Sequence, residues 1–212
     1  MEENGKFSKL REQQREKRKN LIIDAAEMVF MKKPFNEVSM RNIAREAGIT
    51  PTAIYRYFPD KQILFCQAYQ RDAQRLLKVV IDSIGHGEEL RLGEIAMHYV
   101  NFFWKNSQAL KILANFTVDD SYSDDCSIIV NLSTRPIVDQ VERHIKKFSP
   151  DIDARVLARS FFAAINGALI SYRKYPGKSE DEIWKHLNVI IGVISRIFTD
   201  YIIRNPKAEA AH

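Results

Sequence analysis

Residues 39–58 read SMRNIAREAGITPTAIYRYF, and the punctuation inside this stretch decides the fold. Ser39 offers a side-chain oxygen to the free N–H groups at the start of a helix. Ile43, Ala44 and Ala47 recur on one face, and Gly48 suits the left-handed residue that closes a helix. Only Ile49 intervenes before Thr50, a second cap, and Pro51, which fits the first helical position because its missing N–H costs nothing there. Ile54 and Phe58 form the underside of this second helix and leave Thr52, Ala53, Tyr55, Arg56 and Tyr57 near its rim. Ala44 and Ala47 are small enough for the two helices to cross closely. Two short helices joined by a glycine turn make a helix-turn-helix. A helix presented in this way fits the DNA major groove, with its N-terminal residues nearest the base edges.

Working outward, Leu21, Ile22, Ala25, Ala26, Val29 and Phe30 form an apolar stripe on a helix that is expected from Arg15 and ends at Lys32-Lys33-Pro34. Residues 1–14 are expected to be a basic arm. Pro59-Asp60 stops the motif and starts a helix expected from Lys61 to about Ile84. The 212 residues include only 8 Gly and 7 Pro, below the roughly 12% of average usage, so turns are scarce and long helices are favoured. No uninterrupted apolar run approaches the ~20 residues of a membrane span, and the N-terminus lacks a signal peptide's apolar core. A soluble, cytoplasmic, helical protein without a membrane partner is the expectation. Cys66 and Cys126 stand far apart with no CxxC, and the 5 His are scattered, so neither a metal nor another cofactor is expected.

The net charge of +5 is unevenly spread. Residues 1–65 hold 13 basic and 9 acidic side chains, against 19 and 18 in the remainder. A basic end on a nearly neutral body suggests polyanion binding at that end and a different task for the body. For Lys6–Lys19 taken alone, a solvated tail fits equally well.

With Ile22-Ile23-Asp24-Ala25-Ala26 ahead of it and Pro59-Asp60-Lys61-Gln62-Ile63-Leu64 behind, the motif resembles the DNA-binding signature of the TetR family of bacterial transcriptional regulators. The resemblance implies an all-α fold: a three-helix DNA-binding domain at 15–65 with its motif at 39–58, a helical ligand-binding and dimerisation domain at 66–205, a tail at 206–212, and about nine helices in all. It implies that Arg41 reaches bases or phosphate and that Thr50 caps the reading helix. Thr52, Ala53, Tyr55, Arg56 and Tyr57 match that helix's contacts, Lys61 a phosphate grip, and Ser39 a cap that also touches the DNA backbone. Tyr57 reads equally well as half core, and Arg56 as a solvated charge.

In the body, helices are expected over about 89–105, 107–118, 151–175 and 180–204. A loop is expected at 121–125, with a helix or broken pair to Phe148 that restarts near Thr134-Arg135-Pro136. His98, Asn101, Phe102, Phe116 and Asn166 set polar groups among large aromatics, as a mainly apolar ligand pocket would. Ile183, Leu187, Ile190, Ile194, Ile197 and Tyr201 follow a heptad seam, beside Phe161, Ala164 and Ala168 on the preceding helix. Periodicity alone serves intrachain packing and a dimer equally; the resemblance implies a homodimer that meets double-stranded DNA at a pseudo-palindromic operator. The leading expectation is therefore a repressor released by an apolar or aromatic small molecule. The alternatives are a non-specific DNA-coating protein and, with no GxSxG, HExxH, GxGxxG or P-loop in the chain, a less favoured helical enzyme.

Overall fold

The computed structural model describes residues 2–85, 89–107, 109–110, 114, 123–173 and 175–205; residues 2–6 are described in their backbone only. Among these residues there are eight α-helices, one 3-10 helix and no strand. The α-helices are α1 (Glu2–Lys32), α2 (Met40–Glu46), α3 (Pro51–Tyr55), α4 (Lys61–Ile84), α5 (Leu92–Lys105), α6 (Asp124–Phe148), α7 (Ala154–Tyr172) and α8 (Glu180–Arg204). The 3-10 turn spans Phe35–Glu37. The fold is all-α, with an N-terminal helix-turn-helix domain followed by a larger helical domain.

The chain forms two compact units, Met1–Arg71 with Asp119–Val130, and Asp72–Val118 with Asn131–His212. The sequence reading set the boundary at 65/66 and put 119–130 in the body. α4 and α6 instead each contribute residues to both units.

In the first unit, α1 packs on α2 and α2 on α3. Ile22, Ala26, Phe30, Ile43, Ala44, Ile54, Phe58, Leu64 and Phe65 are buried together. Phe65 sits 4.7 Å from Phe30 and 4.5 Å from Phe35, ring centre to ring centre. Arg71 on α4 reaches back to Asp24 at 2.6 Å and Glu27 at 2.7 Å, which fastens α4 to α1. Cys66 and Cys126, 60 positions apart, also meet here. Both are fully buried free thiols, and burial, then the hydrogen bond to Cys126, pushes the Cys66 thiol well up from its ordinary pKa. A thiol in that state is chemically quiet.

Two elements correct the sequence reading. The expected arm at 1–14 is helical from Glu2 and continuous with α1, because Gln, Glu, Lys, Arg and Leu are all strong helix formers and no proline separates them from Leu21. α6 begins at Asp124, inside the expected loop, because the Ser123 hydroxyl accepts the Cys126 N–H. It then runs unbroken through Pro136. Pro136 leaves the Leu132 carbonyl without its helical partner, and Leu132 is exposed, where water can serve it. The helix expected over 107–118 lies largely outside the described residues.

In the second unit, α5, α7 and α8 pack on one another. Their core holds Ile95, Tyr99, Phe103, Phe161, Ile165, Leu169, Leu187 and Ile191. α7 starts at Ala154, capped by Asp153, whose carboxylate accepts the Val156 N–H. Arg155 pairs with Asp139 and Glu142 and so ties α7 to α6. α8 opens with a capping box in which Ser179 and Glu182 satisfy each other's backbone N–H groups.

Candidate nucleic-acid interface and body interior

The reading head is built from its turn. At the end of α2 the Ile49 N–H donates to the Ala44 carbonyl at 3.0 Å and the Gly48 N–H to the Arg45 carbonyl at 3.2 Å. Gly48 has φ +67°. This is a Schellman closure, which needs a left-handed residue at that position. Ser39 and Asn42 form a capping box at the other end of α2. Thr50 caps α3 by accepting the Ala53 N–H at 3.2 Å, with Pro51 next. α3 is shorter than its sequence suggested. Arg56 is its C-cap, and Tyr57 and Phe58 follow in a turn held by the Ile54 carbonyl.

With Ile54 and Phe58 fully buried, the opposite side of α3 faces solvent. Thr52, Tyr55 and Arg56 are exposed, as are Ser39, Arg41 and Thr50; Ala53 and Tyr57 are half-buried. Tyr55, at 55% exposure, is a large aromatic left in water. Lys61 differs from its expected role. Its ammonium donates to the Phe35 carbonyl at 2.9 Å and lies 4.3 Å over the Phe35 ring. Burial holds its pKa below the usual lysine value. Lys61 thus braces the 3-10 turn and retains spare donors for a phosphate, so its removal would weaken the head as well as any DNA contact.

Two clefts adjoin α3. One, of about 370 Å³, lies between α1 and the motif, with Leu21, Ile22, Ala47, Ile49 and Ala53 in its wall. The other, of about 280 Å³, is lined by Arg11, Gln14, Arg15, Arg18, Arg56 and Tyr57. The α1 arginines were not among the residues singled out by motif.

In the body, the Tyr99 hydroxyl donates to Asn166 Oδ1 at 2.9 Å and joins α5 to α7. Burial pushes the Tyr99 hydroxyl pKa up. Phe103 and Phe162 flank the Tyr99 ring at 4.8 and 4.9 Å. Tyr99 was missed because it occupies an ordinary core position in the periodicity; only the contact with Asn166 sets it apart. His98 is exposed and bonds to the Ser83 hydroxyl instead of joining this pair. Asn101 and Phe102 are half-buried, with Phe102 edge-on to Phe103. Phe116 lies outside the described residues. A separate cleft of about 580 Å³ at the α7–α8 turn is lined by Tyr172, Tyr175, Lys178, Glu182, Ile183, Lys185, His186 and Val189, none of them singled out as ligand residues.

The heptad seam divides in the structure. Phe161 and Leu187 are fully buried within their own chain and Ala168 nearly so, whereas Ala164, Ile190 and Ile194 are half-buried. Ile197 and Tyr201 face outward, as do Val189 and Val193. A true helix turns through 3.6 residues, so a 3.5-residue seam drifts off one face. The inward row is Ile183, Leu187, Ile191 and Ser195.

Residues 22–68 match the family described as "Bacterial regulatory proteins, tetR family". An uncharacterised HTH-type transcriptional regulator of Haemophilus influenzae is 46% identical over 48 residues, which is 22% of this chain and 23% of that protein's length. A tetR-family regulator from Streptomyces coelicolor shares the fold with a TM-score of 0.68 at 20% identity, over 92% of each chain. FadR of Bacillus subtilis, solved in complex with stearoyl-CoA, aligns with a TM-score of 0.64 at 14% identity, over 84% of this chain and 96% of that one. Residues 22–68 thus match the tetR family of bacterial regulatory proteins, with the helix-turn-helix at 39–58 inside that segment, and the all-α fold around them is one that solved tetR-family regulators share.

Proposed function

We propose that this protein is a cytoplasmic, homodimeric transcriptional repressor that reads a pseudo-palindromic operator and is released from it by an apolar or aromatic small molecule. The observation that carries the reading is the exposed side of α3. A buried Ile54 and Phe58 hold Thr52, Tyr55 and Arg56 toward solvent, between two helix ends locked by caps. Arg56 supplies a guanidinium for guanine or phosphate, Tyr55 a hydroxyl for phosphate, and Ala53 a methyl for thymine. The Tyr99–Asn166 pair among phenylalanines suits an apolar effector with one polar group. A solved structure of the same fold that holds stearoyl-CoA accords with that class. Release is a coupling free energy between effector and operator, and α4 and α6 are its natural carriers because each has residues in both units.

The dimer reading rests on α8. It is long and apolar enough by composition to cross a membrane, yet little of its apolar stretch is buried within the chain. Val189 at 64% exposure and Ile197 at 61% leave a greasy stripe that a second copy would cover. The double variant Val193→Asp, Ile197→Asp is expected to weaken self-association by at least about a hundredfold, since each Asp would place an uncompensated carboxylate in an apolar seam at a cost of several kcal/mol. Sedimentation equilibrium checks this; an unchanged dimer moves the interface elsewhere.

The function itself is tested by selecting bound sequences from a random duplex pool at physiological salt. An enriched pseudo-palindrome is the expected result. Binding without enrichment that collapses as salt rises would instead identify a DNA-coating protein.

A further inference from the structure

The α1 helix reaches well beyond what the motif needs, and its extension is not randomly charged. Arg11, Arg15 and Arg18 recur at i, i+4 and i+7, one face of the helix. Glu12 and Glu16 stand roughly 100–140° further round, from 100° per residue. The arginine face meets Arg56 and Tyr57 from the end of the reading helix around the 280 Å³ cleft, and no carboxylate lines that cleft. All four arginines are exposed. None of them takes part in an ion pair among the described residues. Like charges spaced i, i+4 on a helix destabilise it. Four guanidiniums around one cleft without a counter-charge are therefore disfavoured until an anion arrives.

We propose that this cleft is a second DNA contact: a seat for the backbone phosphates that flank the major groove entered by α3. The proposal rests on the regulator reading above and extends it to residues outside the motif. Three observations support DNA as the occupant. The cleft shares Arg56 and Tyr57 with the reading surface, so one continuous polyanion can meet both. Arg11 to Arg18 covers about 10 Å of helix axis at 1.5 Å per residue, enough for the arginines to reach more than one phosphate of a DNA backbone. Guanidinium forks pair with phosphate oxygens in a bidentate manner, and they need no particular base. The clamp accordingly adds affinity and fixes register without adding sequence preference.

The test uses the full chain carrying Arg11→Ala, Arg15→Ala and Arg18→Ala, with the Arg→Lys triple variant beside it. Binding is measured against salt on a duplex recovered from the random pool and on a scrambled duplex. Each neutralised phosphate contributes about 0.9 to the slope of log K against log salt, so the Ala variant is expected to lose about 2–3 from that slope for each protomer bound. Its affinity should fall by the same factor on both duplexes, so their ratio stays at the parent value, and the Lys variant should keep the parent slope. An unchanged slope, or a loss confined to the recovered duplex, overturns the clamp while leaving the regulator reading intact. A parent chain that binds no duplex overturns both.

Discussion

Replacing Phe58 by Ala is expected to melt the DNA-reading head while leaving the second unit folded. Phe58 is fully buried beneath α3 beside Ile54, and deleting such a ring costs about 3–5 kcal/mol through lost transfer energy and the cavity left behind. Domains hold only roughly 0.05–0.15 kcal/mol of stability per residue, so a unit of this size loses a large share of its margin. Two units with separate cores allow that loss to stay local. Hydrogen exchange followed by mass spectrometry checks it: protection should vanish in α2 and α3, persist in α7 and α8, and DNA binding should disappear. Thr52→Ala, on the exposed rim, should leave protection unchanged. Uniform loss of protection along the chain in the Phe58 variant would show that the two units unfold as one.

Acid is expected to weaken the second unit through His144. This side chain is buried, edge-on to Phe148 at 5.3 Å. Its Nε2 accepts the Arg91 N–H at 3.1 Å, which places the proton of the neutral ring on Nδ1, where it has no partner among the described residues. Burial first, then the positive charges of Lys147 and Arg91, lower its pKa from 6.5 to about 4. The unfolded chain therefore binds a proton more readily than the folded one. Above about pH 6.5 both states are neutral and His144 contributes no pH dependence. As the pH falls from about 6.5 toward 4 the unfolded state gains, by up to about 3 kcal/mol at 1.36 kcal/mol per unit. His144→Gln keeps an acceptor for Arg91 but cannot titrate. Urea midpoints of parent and variant should differ by a constant above pH 7, and the parent should lose ground to the variant between pH 6.5 and 4. Parallel profiles across that window would remove His144 as the cause.

Where local chemistry marks an element's ends, the sequence was enough. α4 and α8 have their expected limits because Pro59-Asp60, Gly85, Ser179 and Asn205 act within one turn of the chain. The reading head was legible for the same reason, since capping and the Gly48 turn are short-range. Lys61 was not, because its partner, the Phe35 carbonyl, is 26 positions away. Long-range contacts also hid the Tyr99–Asn166 bond and the meeting of Cys66 with Cys126. Pro136 misled in the other direction: a local rule for ending helices yielded to packing along α6. The α8 seam was found but misaligned, since periodicity shows that a stripe exists and not which neighbours face it. Arg11, Arg15 and Arg18 were present as a charge run; only the fold sets them against Arg56.

The two buried thiols make the head its own clock. An alkylating reagent in excess meets Cys66 or Cys126 only in molecules whose helices have momentarily parted, because both are sealed in the closed form. At low reagent the labelling rate is proportional to the equilibrium fraction open, and at high reagent it reaches a ceiling set by the opening rate itself. Titrating the reagent therefore yields both how often the head opens and how long it stays so, with no engineered probe and no DNA in the tube.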